Sequence, residues 1–143
     1  MYINKIHVRN FRILSESTLD FKDKLCLMIG RNNSGKTSFL VLFEKFMNGL
    51  SFDFNDFSLC KRQLLLALDE NSVVTEFSIQ LILNIIYEES DDLCHLSEFI
   101  MDLDPARRDV NLLFECYVKK EKLLEAISLA SDMSKEKFIK KYL

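Results

Sequence analysis

The sequence predicts an α/β fold with a parallel strand–loop–helix core, an antiparallel side sheet and helices on the faces. Three observations predict it. An unbroken apolar run, KLCLMIG at residues 24–30, ends in glycine and opens into GRNNSGKTS at residues 30–38. A helical stripe follows directly: Phe39, Leu40, Phe43, Phe46 and Met47. Farther along, residues 77–87 and 110–118 alternate apolar and other side chains in the manner of half-buried strands. At 143 residues, 48% of them hydrophobic and twelve of them Phe, the chain has material for one packed domain and not comfortably for two.

Taken in order, YINKIHVRNFRILSESTLDF reads as two short strands, residues 2–8 and 18–21, joined by a turn over 10–17. Residues 24–30 lack alternation, which predicts a strand covered on both faces, as in a parallel sheet. The helix from Lys36 ends at Asn48-Gly49, a good stop signal. FDFNDFS, residues 52–58, reads as a loop with scattered aromatics. Phe77, Ile79, Leu81, Leu83, Ile85 and Tyr87 share one strand face. Leu93, Leu96, Phe99, Ile100 and Leu103 predict a short helix that Pro105 ends, and Val110, Leu112, Phe114, Cys116 and Val118 a further strand. Leu123, Leu124, Ile127 and Ala130 predict another helix, and SKEKFIKKYL a last one, capped by Ser134. The apolar face of that last segment, Phe138, Ile139, Tyr142 and Leu143, suggests either a docked partner or the front part of something longer, and the second is favoured.

Several function classes drop out early. No apolar run is long enough to span a bilayer, and the polar, basic start is unlike a secretory signal. Cys26, Cys60, Cys94 and Cys116 form no Cys-x-x-Cys pair, which fits reduced, mostly buried thiols in a cytoplasmic protein. His95 beside Cys94 makes a poor metal site, since neighbours on a helix point apart. The net charge of −3 is uneven: residues 61–110 carry 4 basic and 11 acidic side chains, so no basic groove for nucleic acid is legible.

Gly30-x-x-x-x-Gly35-Lys36-Thr37 matches the P-loop pattern, which makes the predicted fold a P-loop NTPase lobe. A triphosphate needs several backbone N–H groups converging on it, and a wrapped loop offers them only where side chains do not intrude. Gly30 releases the chain from the strand, and Gly35 lets the backbone approach the β-phosphate. The helix N-terminus adds its unpaired N–H groups and positive dipole end. Lys36 reaches the β- and γ-phosphates, the Thr37 hydroxyl ligates Mg²⁺, and Ser38 donates to the α-phosphate. Chance would produce the pattern in roughly one chain of this length in two hundred. ATP or GTP binding follows, with Mg²⁺.

INKIHVRNFRILSESTLDF...LCLMIGRNNSGKTSFL, with its Asn10-Phe11-Arg12 turn before the P-loop, resembles the N-terminal head of the ABC-type ATPases that work on chromosomes, the RecF, SMC and OLD group. Asn32 to Thr37 looks most like the OLD type, many of which act in phage defence. The likeness is strong over residues 1–49 and only architectural over 73–118, with 50–72 as a connection and 119–143 as a helical end. It implies that Arg12 lies near the nucleotide phosphates, although a plain surface arginine is the other reading, and that Asn32, Asn33 and Ser34 line them. It implies ATP as the nucleotide, a homodimer or a missing C-terminal lobe, and engagement of DNA by the full assembly, with a TOPRIM nuclease as a further partner.

Hydrolysis needs an apolar strand ending in a metal-binding Asp, usually followed by a Glu that activates water. LLLALDE, residues 64–70, has the letters, but its Leu and Ala favour helix and Ser58 is placed to cap one starting at Leu59. The helix reading, with Leu64, Leu65 and Leu68 on one side, is preferred to the acidic strand. The signature motif, acidic strand and switch histidine of such heads are not legible, nor is a TOPRIM metal cluster. The chain is therefore expected to be one lobe of an ATP-driven DNA machine. A non-hydrolysing, nucleotide-sensing regulatory fragment is the alternative, and a small-molecule phosphotransferase a third.

Overall fold

The structure is a computed structural model that describes residues 1–21, 27–32, 34–67, 77–100, 106–119, 121 and 125. Its centre is a four-stranded sheet of order β2-β1-β3-β4, built from β1 (Tyr2–Phe11), β2 (Leu14–Asp20), β3 (Ser78–Ile86) and β4 (Asp109–Tyr117). Every pairing is antiparallel. The β1–β2 hairpin is tighter than the predicted turn over 10–17: Phe11 pairs with Leu14, so the connection is Arg12 and Ile13 alone.

Alternation decides which face is wet. Ile6 faces Leu83 and Val8 faces Leu81 across β1–β3, and Leu81 and Leu83 continue to Phe114 and Leu112 on β4. This face forms the core with Phe39 and Leu42 of α1 (Lys36–Met47) and Leu65 of α2 (Leu59–Ala67). Ile79, Leu81, Leu42 and Leu65 are fully buried. The other face carries His7, Arg9, Glu16, Gln80 and Glu115 toward solvent, where Gln80 donates to Glu115 at 2.7 Å.

The helix ends have local causes. At the C-terminus of α1, the Gly49 N–H bonds the Phe46 carbonyl and the Leu50 N–H bonds that of Lys45, the paired closure of a Schellman motif. Residues 52–58 are more than a loop. Phe54–Asp56 forms a 3₁₀ turn closed by a capping box between Asp53 and Asp56, with Phe54 and Phe57 buried.

One expectation is not met among the described residues, and three need correction. The parallel core is not seen: Leu27–Ile29 has no strand pairing, and Leu27 and Ile29 are 80% and 83% exposed. None of the described strands runs parallel to another. Residues 94–99 form turns rather than the predicted helix, with bonds from the Leu96 and Ser97 N–H to the Leu93 carbonyl, and Phe99 is exposed. The helix faces also differ: in α1 the buried side chains are Phe39 and Leu42, while Leu40 and Met47 of the predicted stripe are exposed, and in α2 the buried side chain is Leu65, while Leu64 is exposed. Cys60, Cys94 and Cys116 are free thiols, but Cys60 and Cys94 are exposed rather than buried. The predictions for Leu68, Asp69, Glu70, Cys26, Leu103, Pro105 and the helices over residues 123–143 fall outside the described residues.

Candidate functional site

The Asn10-Phe11-Arg12 turn is where three parts of the chain meet. Asn10 and Arg12 both lie in the left-handed region, at φ 63° and 47°. Asn tolerates it; an arginine there costs about 1 kcal/mol and needs outside support. The support comes from residues 56–58. The Arg12 N–H donates to the Asp56 carbonyl at 2.8 Å, and the Ser58 N–H donates to the Asn10 carbonyl at 2.9 Å. Phe11, with no exposed surface, bridges to Phe57 between them. The Asn10 amide then donates to the Ser78 carbonyl at 2.8 Å, tying the turn to β3.

The tip of the hairpin lies on the glycine loop. Gly35 has φ +93°, and a Cβ there would stand 2.7 Å from Leu14 Cδ2 and 3.3 Å from Ile13 Cγ2. The position needs glycine twice over, for its backbone angle and for this approach. Gly30 is crowded but not strictly required: a Cβ there would lie 2.9 Å from Ser34 Oγ and 3.5 Å from Lys36 Nζ, the movable ends of two flexible side chains. Lys36 Nζ donates to the carbonyls of Gly30 and Arg31, the latter at 2.7 Å, and to Ser34 Oγ at 3.2 Å. These bonds fold the ammonium across the loop.

Arg12, Ile13, Asn32, Ser34, Gly35, Lys36, Thr37 and Ser38 line one cleft of about 400 Å³. Sequence-predicted positions from two distant segments are thus brought together; Gly30 borders them through its carbonyl, and Asn33 lies outside the described residues. The helix N-terminus that opens here has no side-chain cap and no acidic residue in its first turn. Its leading N–H groups have no intrahelical acceptors, so they and two cationic side chains favour an anion. No carboxylate is among the described residues that line the cleft. Among the described residues no three His, Cys, Asp or Glu gather as a metal site. A magnesium ion suits this donor set only with Thr37 as protein ligand and phosphate and water oxygens completing its shell, which is the coordination Mg²⁺ prefers beside a nucleotide.

Sequence reasoning missed Asp56. Its side chain is 1% exposed and holds two cations: Arg12 Nε and Nη2 donate to Oδ1 at 3.1 and 2.8 Å, and Lys45 Nζ donates to Oδ2. The Asp53 N–H also donates to Oδ2, at 3.1 Å. Burial alone would raise the Asp56 carboxyl, but the bonds from Lys45, the Asp53 backbone and Arg12 together outweigh it and hold it below the ordinary carboxylate value. The legible signal was a carboxylate set between two buried aromatics, three residues after another Asp.

Comparison with known proteins places the chain in a family. The DNA replication and repair protein RecF of Francisella tularensis subsp. novicida is 42% identical over 40 residues, 28% of this chain and 12% of that protein. RecF of subsp. mediasiatica matches to the same extent. The match therefore spans about an eighth of the length of these curated relatives. A solved structure from work on ATP-driven dimerization and DNA-stimulated activation of SMC ATPases covers 91% of this chain and 80% of its own, at 16% identity and a TM-score of 0.45. A model of the AAA ATPase domain matches residues 1–142, and the chain belongs to that family.

Proposed function

We propose that this chain is the ATP-binding lobe of an ABC-type ATPase that acts with DNA, of the OLD or RecF kind, serving phage defence or DNA repair. The observation that carries the reading is the cleft in which Arg12 joins Lys36, Thr37 and the open end of α1. Lys36, now bonded to loop carbonyls, exchanges those acceptors for β- and γ-phosphate oxygens, while the first-turn N–H groups and the Ser38 hydroxyl take the remaining oxygens. Asn32, Asn33 and Ser34 line the phosphates, and Thr37 ligates Mg²⁺. The RecF likeness supports a role beside DNA. A second subunit or a C-terminal lobe, and through the assembly DNA and a TOPRIM nuclease, are the partners we infer, in the cytoplasm. The exposed Leu27, Ile29 and Leu40 around the loop support such a partner.

The alternative is a nucleotide-binding regulatory lobe that does not hydrolyse. It is favoured by one observation: Leu64–Ala67 is helical, so the apolar run before Asp69-Glu70 is not a strand. Purified chain with ATP and Mg²⁺ tests both: steady phosphate release supports the ATPase reading, binding without turnover fits the regulatory lobe or an ATPase lobe that needs its partner, and no binding sinks both.

A further inference from the structure

We infer that Asp56 is a positioning residue for the nucleotide site: it holds the Arg12 guanidinium side-on so that its free edge meets the phosphates. The inference rests on the nucleotide reading above and adds a residue to it from outside the glycine loop.

Three features support it. Arg12 lies in the left-handed region, and its N–H is bound by the Asp56 carbonyl while its side chain is bound by the Asp56 carboxylate. One residue therefore fixes both the backbone and the guanidinium of the hairpin tip. A guanidinium has five N–H bonds, and Asp56 takes one from Nε and one from Nη2, leaving three for an anion. The second feature is burial. The carboxylate is nearly sealed while the arginine side chain is 38% exposed and lines the cleft, so the anchor is hidden and the working edge is open. Third, Asp56 is itself held. Lys45 reaches it from the last turn of α1, and the Asp53 N–H closes the capping box. The acid cannot swing with the arginine, so the guanidinium is presented in one orientation.

The geometry excludes lysine at position 12 as an equivalent. An ammonium is a point donor that cannot grip a carboxylate side-on and offer a second planar edge.

Titration calorimetry of the full chain with MgATP tests this, using wild type, Asp56→Asn, Arg12→Ala, the double variant and Arg12→Lys, with folding checked by circular dichroism. Asp56→Asn is expected to weaken binding about five- to thirtyfold, Arg12→Lys to a similar extent, and the double variant no more than twofold beyond Arg12→Ala. Gly49→Ala, remote from the cleft and mildly destabilising, is expected to bind like wild type, separating positioning from general loss of stability. If wild type binds and Asp56→Asn binds equally, or its loss persists undiminished without Arg12, the positioning role is overturned. If Asp56→Asn does not fold, Arg12→Lys decides, and wild-type affinity in that variant overturns the role. Absence of binding by the wild type overturns the nucleotide reading and this one with it.

Discussion

At the scale of single residues, the glycine loop is defined by what it forbids. Gly35→Ala puts a methyl against Leu14 and forces an L residue to φ +93°. The cost is about 1–3 kcal/mol, a fall of about 4–12 °C in Tm. Differential scanning calorimetry checks it, and an unchanged Tm would contradict the packing of the hairpin tip on the loop. Asp56 carries a pH signature. Because its folded carboxyl lies below its ordinary value of 3.8, its stabilisation is complete above that pH and is lost as pH falls below it. Asp56→Asn should cost about 2–3 kcal/mol at pH 7, less than the roughly 3–5 of a fully buried pair because Arg12 is partly exposed. Urea denaturation from pH 7 to pH 3 should show a gap from wild type that is constant to about pH 5 and narrows below about 4. A gap that widens on acidification contradicts the assignment.

Elements differed in how legible they were. β3 and β4 were readable because Ile79, Leu81, Leu83 and Val110, Leu112, Phe114 alternate on a sheet with one wet face. The extent of α1 was readable from its apolar content and from Asn48-Gly49, but its buried face only in part, since Leu40 and Met47 of the predicted stripe are exposed and Leu42, outside it, is fully buried. The stretch before the glycine loop was less legible because an apolar run signals burial without naming what covers it; of the predicted strand the structure describes residues 27–30, where Leu27 and Ile29 face solvent. Asp56 was missed because its partners, Arg12 and Lys45, are 44 and 11 residues away, beyond any local pattern. The C-terminal closure of α1 gives a clean test. Gly49 has φ +62° with open space around it, so Gly49→Ala meets only the backbone penalty, about 1 kcal/mol. Thermal unfolding should shift by about 3–5 °C, and a shift beyond 10 °C would mean the helix end packs against something unaccounted for.

At the scale of the whole molecule, a one-faced antiparallel sheet holds the core, and its hairpin tip reaches over to shape a cleft at the open end of α1. Cysteine reactivity reports on that arrangement. Burial, and next the Asp56 charge, push the Cys116 thiol up, whereas Cys60 is exposed. Maleimide labelling at pH 7, read by peptide mass spectrometry, should modify Cys60 at least tenfold faster than Cys116. Equal rates would place β4 away from the core. The central claim is that main-chain amides at the start of α1, aided by Lys36, grip a polyphosphate. Titration calorimetry with MgATP on wild type and Lys36→Met tests it most directly. The account predicts saturable heat for wild type and a loss of affinity of about ten- to a hundredfold in the variant, the worth of one charge-assisted bond of about 1.5–3 kcal/mol. Equal affinity in the two proteins, or no heat from either, would contradict it.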